Sequence, residues 1–255
     1  MPLVTAKNLR FRYASSGPWT IDDVSLSIDS GASVGIVGES GSGKSTIVRL
    51  LSGLLTAQEG TVTADGNDVG KWSKRSPNEL RRFGQLVFQS PSRSFDPRMR
   101  LRRAVCEPVR ALENRVPRRD EVESWMSRVG LSPQLLDRYP HQLSGGQLQR
   151  VSLARAISIG PRVLYADEPT SSLDVSVQAQ VLNVLMDLRT ELGLTLITVT
   201  HDLAVVGRLC DRIIVMSGGR IVEEGTAVDI LTNPQHDYTI GLVEAAKAVS
   251  LKRAS

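Results

Sequence analysis

Gly38-Glu39-Ser40-Gly41-Ser42-Gly43-Lys44-Ser45-Thr46 is the stretch whose residue types and spacing promise chemistry most directly. A glycine, four unconstrained positions and then Gly-Lys-Ser is the pattern of a loop that cradles phosphate with its backbone N–H groups. Glycines let the chain turn those groups inward, and a helix starting at the loop adds positive potential toward an anion. Gly38, Ser40, Gly41, Ser42, Gly43 and Thr46 are therefore expected to line a triphosphate. Lys44 can reach its β- and γ-phosphates, and the Ser45 hydroxyl can complete a Mg²⁺ coordination sphere. Such a loop needs a strand before it and a helix after it. Ser33-Val34-Gly35-Ile36-Val37 reads as a buried strand, and Ile47, Leu50, Leu51 and Leu54 fall at helical spacing. The bland alternative is a glycine-rich turn matched by chance, and the flanking strand and helix argue against it. The sequence predicts a nucleoside-triphosphate site.

A second cluster of reactive groups closes an apolar run, Val163-Leu164-Tyr165-Ala166-Asp167-Glu168. The first acid after such a strand is placed to hold Mg²⁺, and the second can polarise an attacking water. Alone, two acids at a strand end are an ordinary solvated turn. Beside a phosphate loop, Asp167 becomes the metal-side acid and Glu168 the base. Leu143-Ser144-Gly145-Gly146-Gln147 precedes a helical pattern through Leu148, Val151, Ala154 and Ile157. Ser144 fits an N-cap, and two glycines would let a phosphate approach the helix end. Taken alone, those five residues read first as an ordinary helix-start turn.

The elements that must position these groups alternate in type. Leu3–Tyr13 and Val24–Ile28 read as short β segments, and Gly60-Thr61-Val62-Thr63 with Asp65-Gly66-Asn67 as a hairpin. Leu86-Val87-Phe88 reads as a buried strand ending at Gln89. From Ser90 to Leu131 arginines and prolines accumulate and the apolar period turns helical, as in Val122, Trp125, Met126 and Val129. This is expected to be a helical insert with a solvent-facing arginine surface. Continuous apolar strands at 163–166 and 195–199 then point to a buried parallel sheet, with an amphipathic helix at Val177–Leu192 between them. A late hairpin is expected around Ser217-Gly218-Gly219, and a helical tail after Pro234.

Composition limits the alternatives. The 255 residues suffice for one large α/β domain or two modest ones. With 31 basic and 27 acidic residues the net charge is +4, too balanced to argue for nucleic acid. Cys106 and Cys210 form no disulfide framework and no metal-spaced pair, as expected of thiols in a reducing compartment. The N-terminus lacks the apolar core of a signal peptide, and no apolar run approaches membrane-spanning length, so a soluble chain working through partners is expected.

Taken together, Gly38–Thr46, Leu143–Gln147 and Tyr165–Asp174 resemble, in order and spacing, the Walker A, signature and Walker B motifs of ABC-transporter ATPases. The resemblance covers nearly the whole chain. It implies an α/β fold: a P-loop NTPase core with a mainly parallel sheet, an N-terminal antiparallel β subdomain and an inserted helical subdomain at roughly 90–157. The cassette would occupy 1–235 and a tail 236–255. It also implies ATP and Mg²⁺ as cofactors. Tyr13 resembles the aromatic that stacks on adenine, with a strand-packing tyrosine as the plain alternative. Gln89 resembles the glutamine that touches Mg²⁺ and the attacking water. Ser172-Leu173-Asp174 is similar to the loop that crosses between two nucleotide sites, and His201 to the switch histidine on the γ-phosphate. Family geometry implies a composite site, with Ser144, Gly145, Gly146 and Gln147 serving the nucleotide of a second cassette. Lys44, Gln89, Glu168 and His201 would carry hydrolysis.

Finer segments narrow the resemblance. Phe88-Gln89-Ser90-Pro91-Ser92-Arg93-Ser94-Phe95-Asp96-Pro97, Tyr139-Pro140-His141-Gln142 and Asp174–Gln180 look like those of dipeptide, oligopeptide and nickel importer ATPases. Asn233-Pro234-Gln235-His236-Asp237-Tyr238-Thr239 is close to that subfamily's His-Pro-Tyr-Thr ending, with Asp237 in place of the proline. Some members continue into a cysteine-containing extension, and no extension-borne cofactor is expected here. The resemblance implies two integral-membrane permease subunits, a second ATPase subunit and an extracytoplasmic substrate-binding protein, with this chain at the cytoplasmic face of the inner membrane and no nucleic acid partner. Peptide and nickel or metal-chelate cargo both remain open. A non-transport ABC ATPase of DNA repair or translation, or an exporter cassette, are the alternative classes. The former would favour a long coiled coil, two cassettes in one chain, or salt-sensitive nucleic-acid binding, and the Tyr139-Pro140 lead-in with the subfamily segments argues against the latter.

Overall fold

The structure, a computed structural model, describes residues 2–171 and 173–254, with side chains placed through residue 248. The elements up to the first nucleotide motif are β1 (Pro2–Phe11), β2 (Ile21–Asp29), β3 (Ser33–Val37) and α1 (Lys44–Leu51). Next come β4 (Glu59–Ala64), β5 (Asn67–Asp68), α2 (Val69–Arg75), α3 (Pro77–Phe83) and β6 (Gly84–Val87). The middle of the chain holds α4 (Leu101–Glu113), α5 (Arg119–Arg128), α6 (Gly145–Ile157), β7 (Val163–Asp167) and α7 (Val175–Leu192). It closes with β8 (Thr195–Val199), α8 (Leu203–Leu209), β9 (Arg212–Ser217), β10 (Arg220–Thr226), α9 (Ala227–Thr232) and α10 (Asp237–Ala254). Two compact units result, Met1–Leu80 with Thr195–Ser255, and Arg81–Leu194.

The first unit contains an antiparallel sheet in the order β2-β1-β4-β5. Strand β2 buries Ile21, Val24, Leu26 and Ile28 and alternates from Val24 on, exposing the residues between, as a strand with one wet face should. Asp65 and Gly66 both take positive φ (48° and 76°) and join β4 to β5, so the expected hairpin closes with the two-residue turn that right-handed strand twist favours. The same unit holds β3, buried at all five positions and parallel to both β8 and β9. Gly35 has a packing reason: a Cβ there would lie 2.6 Å from Val206 Cγ1 of α8. Strands β9 and β10 form the late hairpin through Gly218-Gly219.

Helix α1 is shorter than the apolar spacing suggests. It stops at Leu51, Gly53 turns left-handed (φ 76°), and Leu54 is 59% exposed, so Leu54 is not part of the helix's buried face. The glycine lets the chain leave close to Leu80, whose Cδ2 would sit 2.6 Å from a Cβ at residue 53.

In the second unit β6 runs parallel to β7, with Val87 opposite Ala166. Strand β6 covers Gly84–Val87 rather than 86–88, and Phe88 already lies outside it, 42% exposed. Gly84 opens space for the ring of Tyr165, which is wholly buried, and that burial drives its phenol pKa up. The segment expected to be helical at 90–157 holds α4, α5 and α6, in the unit that also contains β6, β7 and α7. Its core includes Leu101, Val105, Val109, Val122, Met126, Leu136, Val151 and Leu153. On its surface Arg115 donates to both oxygens of Glu121, and this pairing, with the Arg118 backbone N–H, holds that carboxyl down at about 2. Both cysteines are buried free thiols. No helix among the described residues is long and apolar enough to cross a membrane.

Candidate functional site

In the first unit the buried strand β3 delivers the chain to Gly38 (φ 151°), where a Cβ would lie 2.1 Å from the Met216 carbonyl oxygen. Gly41 and Gly43 also take positive φ, and a Cβ on Gly43 would meet the Thr20 oxygen at 2.7 Å. Gly38 and Gly43 leave no room for a side chain, and all three take conformations that L residues rarely adopt, so glycine suits the backbone path. Gly43 is the N-cap of α1 without a side-chain cap, and the first turn carries no acid. The helix thus starts with uncompensated positive potential. Lys44 is buried and its ammonium donates to the Glu39 carbonyl at 2.6 Å, beside the buried Ser42 hydroxyl at 3.5 Å. Ser40 is exposed and Ser45 half-buried. An N-terminus and an ammonium converging on one loop are what a polyphosphate needs.

Tyr13 stands over the same loop. Strand β1 ends at Phe11, which is the ring that packs inside, whereas Tyr13 is 61% exposed and meets Phe11 edge-on at 5.0 Å. Its hydroxyl lies 3.2 Å from Thr46 Oγ1 and accepts from Arg49 at 3.4 Å. The residue is therefore no strand-packing tyrosine. Gln58 was not legible as a site residue. Its carboxamide accepts from the Arg12 N–H at 2.8 Å and donates to the Arg12 carbonyl at 3.0 Å, gripping the chain one residue before Tyr13.

His201 also belongs to this unit. It follows β8, whose parallel partner is β3, so His201 and Gly38 leave the carboxyl ends of neighbouring strands, where α/β sheets bind ligands. His201 is exposed, and Asp202 after it caps α8 through the Ala204 N–H at 2.9 Å.

The second unit gathers the acids. Asp167 is buried at the end of β7. Glu168 has φ 48°, a left-handed conformation sparsely populated by non-glycine residues and concentrated at functional sites. Gln89 Nε2 donates to Glu168 Oε2 at 2.8 Å. Register explains the meeting: Val87 faces Ala166, and each partner lies two residues beyond. The segment after Gln89 is tied down by Arg155 of α6, which donates to the Ser94 carbonyl at 2.7 Å and covers the Phe95 ring at 4.4 Å.

Ser144 caps α6 as expected. Its hydroxyl accepts from the Gln147 N–H at 3.3 Å, and the Gln147 side chain accepts from the Ser144 N–H at 3.1 Å. The two glycines divide their work. Gly145 is exposed, while Gly146 is buried with Val177 Cγ1 2.0 Å from where a Cβ would stand. Gly146 is thus demanded by the approach of α7. Asp174 caps α7, accepting from the Val177 N–H at 2.9 Å and the Ser176 hydroxyl at 2.8 Å. The Val177 amide first, and the Ser176 hydroxyl second, hold its carboxyl below the usual range. The signature residues and Asp174 are therefore brought together at adjoining helix starts. Ser172 lies outside the described residues. Among the described residues no group of three or more His, Cys, Asp or Glu could hold a metal by itself. A Mg²⁺ ion completed by phosphate oxygens requires no such cluster.

The glycine-rich loop of the first unit has the build of a phosphate cradle, and the second unit carries the two acids at the end of β7. Residues 21–171 match the ABC transporter family, and the chain belongs to it. It is an ATP-binding ABC ATPase. It is 44% identical over 228 residues to the oligopeptide transport ATP-binding protein OppF of Salmonella typhimurium, covering 88% of this chain and 68% of that one. Among solved structures it is similar to cbiO1 from Clostridium perfringens, part of the ABC transporter complex cbiONQ, with a TM-score of 0.82 at 28% identity over 91% of each chain. It is also similar to the ATP-binding cassette MJ0796, dimeric and bound to ADP and Pi in a post-hydrolysis state, with a TM-score of 0.79 at 28% identity over 88% of this chain and 98% of that one. The α/β architecture with an antiparallel N-terminal sheet, expected from the sequence, is that of these cassettes.

Proposed function

We propose that this chain is the ATP-hydrolysing subunit of a bacterial importer that takes up oligopeptides through two separate membrane permease subunits. It works with a second cassette, identical or homologous, and with an extracytoplasmic binding protein that selects the cargo, and it sits on the cytoplasmic face of the cell membrane. Oligopeptide is preferred to nickel because the relative at 44% identity bears that name.

In this reading Tyr13 stacks on adenine. The loop Gly38–Thr46 wraps the phosphates, and Lys44 exchanges the Glu39 carbonyl for β- and γ-phosphate oxygens. Mg²⁺ would neutralise charge on those oxygens, and Ser45, Gln89 and Asp167 are hard oxygen donors suited to hold it. Water attacks the γ-phosphorus, the bond to the β–γ bridging oxygen breaks, and ADP leaves. Glu168 takes the proton from that water, and His201 contacts the γ-phosphate. Ser144 to Gln147 act on the nucleotide of the partner cassette, and Asp174 lies on the loop between the two sites. The observation that carries the catalytic assignment is the 2.8 Å hydrogen bond from Gln89 to a Glu168 held in a strained conformation.

The test is reconstitution of the complete transporter in proteoliposomes, with ATP inside and the binding protein outside. ATP-dependent uptake of labelled oligopeptide is expected. Uptake of nickel or a nickel chelate in place of peptide overturns the cargo, and absence of nucleotide-driven uptake of any kind overturns the importer assignment.

A further inference from the structure

The segment Asn233–Thr239 has no part in hydrolysis as described so far, yet it ends on the phosphate loop. The Tyr238 hydroxyl accepts a hydrogen bond from the Glu39 N–H at 2.8 Å. The carbonyl of the same Glu39 takes the Lys44 ammonium at 2.6 Å and the Ser42 N–H at 3.2 Å. Glu39 is thus gripped on its N–H side by the C-terminal segment and on its carbonyl side by the loop's own lysine. Its N–H is turned to Tyr238, while its carbonyl occupies the ammonium that a phosphate would claim.

Tyr238 is itself held. Glu223 of β10 accepts from the backbone N–H groups of Gln235 at 2.8 Å and His236 at 3.1 Å. His236 Nδ1 in turn accepts from the Tyr238 N–H at 3.1 Å. Thr239, the next residue, is wholly buried, and Val243 one turn further along α10 is buried too. A carboxylate bonded to two successive amides fixes the entry to α10, and the first turn of α10 presents the phenol to the loop. All of these groups belong to the first unit.

We propose that Tyr238 is a positioning residue for the phosphate loop. It holds the Glu39 amide so that the loop stays open when Lys44 leaves the Glu39 carbonyl for a phosphate, and Glu223 anchors it. The C-terminal segment thereby sets the affinity for the polyphosphate part of the nucleotide. This rests on the ATP-binding reading of the loop.

Tyr238→Phe removes the hydroxyl and keeps the ring. In the purified full chain, with a fluorescent ATP analogue and Mg²⁺, its affinity is expected to fall about threefold to tenfold, the equivalent of one net hydrogen bond. Competition by inorganic tripolyphosphate should weaken by the same factor. Tyr13→Ala should instead weaken ATP and leave tripolyphosphate unchanged. Glu223→Ala should lower affinity in the same direction, and the double variant with Tyr238→Phe should be no weaker than the worse single one, because both break one chain of contacts. In the assembled transporter the change should appear in KM for ATP with kcat nearly constant. Wild-type affinity for ATP and tripolyphosphate in Tyr238→Phe overturns the proposal. So does a loss that comes with a lowered melting temperature without nucleotide, which marks a packing role only. Failure of the wild-type chain to bind ATP overturns the nucleotide reading instead.

Discussion

The phosphate loop and the acid loop begin alike and work differently. Each follows a five-residue strand buried at every position, β3 in one unit and β7 in the other. After β3 the unusual backbone conformations fall on Gly38, Gly41 and Gly43, the last of which is the N-cap of α1. After β7 the unusual conformation among the described residues falls on Glu168 itself, the first residue past the strand. Where the ligand is read by backbone N–H groups, glycine can take the left-handed turns at no steric cost. On the proposed assignment, the strained residue after β7 is also the one that acts through its side chain. Glu168 carries a conformational cost of about 1–3 kcal/mol so that its carboxylate meets Gln89.

That contrast can be broken by substitution. Glu168→Gln removes the proposed base and keeps the shape. Turnover in the assembled transporter should fall about 10²- to 10⁴-fold with ATP still bound, and rapid hydrolysis by this variant would show that another group takes the proton. Gly43→Ala attacks the other loop through its backbone, since the new methyl meets the Thr20 oxygen in a left-handed conformation. About 1–3 kcal/mol of stability should be lost, together with about tenfold or more in ATP affinity. Thermal melting and nucleotide titration read the two effects, and an unaffected variant would mean that the loop does not depend on this path. Gln58→Ala sharpens the comparison at its mildest point. Freed from the two bonds at Arg12, Tyr13 should lose about threefold in ATP affinity, while tripolyphosphate binding stays at the wild-type level. Equal losses for both ligands would place Gln58 in support of the whole unit rather than of Tyr13.

The legible parts of the molecule were those written in local pattern. Asp65-Gly66-Asn67 announces a hairpin, Ser144 an N-cap, and the buried strands announce themselves as continuous apolar runs. What stayed hidden depends on contacts between distant residues. Leu54 continues the helical spacing, but Gly53 and Leu80 decide that α1 has already ended. Gly146 fits a phosphate-approach glycine, and only the position of Val177 reveals its packing reason. Asp174 was singled out for a loop between sites, and its capping bonds to α7 are a second role. Gln58 carries no local signature, and the segment that singles out Tyr238 says nothing of its contact with Glu39, because each acts on a residue at least 46 positions away.

The topology of the first unit also bears on how the protein is made. Strand β3 pairs with β8 and β9, yet 157 residues separate Val37 from Thr195 in the sequence. At about 5–20 residues per second, the ribosome leaves that apolar strand without partners for about 8–30 s after it is made. The phosphate loop therefore exists as sequence long before it can exist as shape. A nascent chain of this protein must shelter β3 until the residues from Thr195 onward arrive, and a chain truncated before Thr195 keeps an orphan strand ready to pair with any other edge.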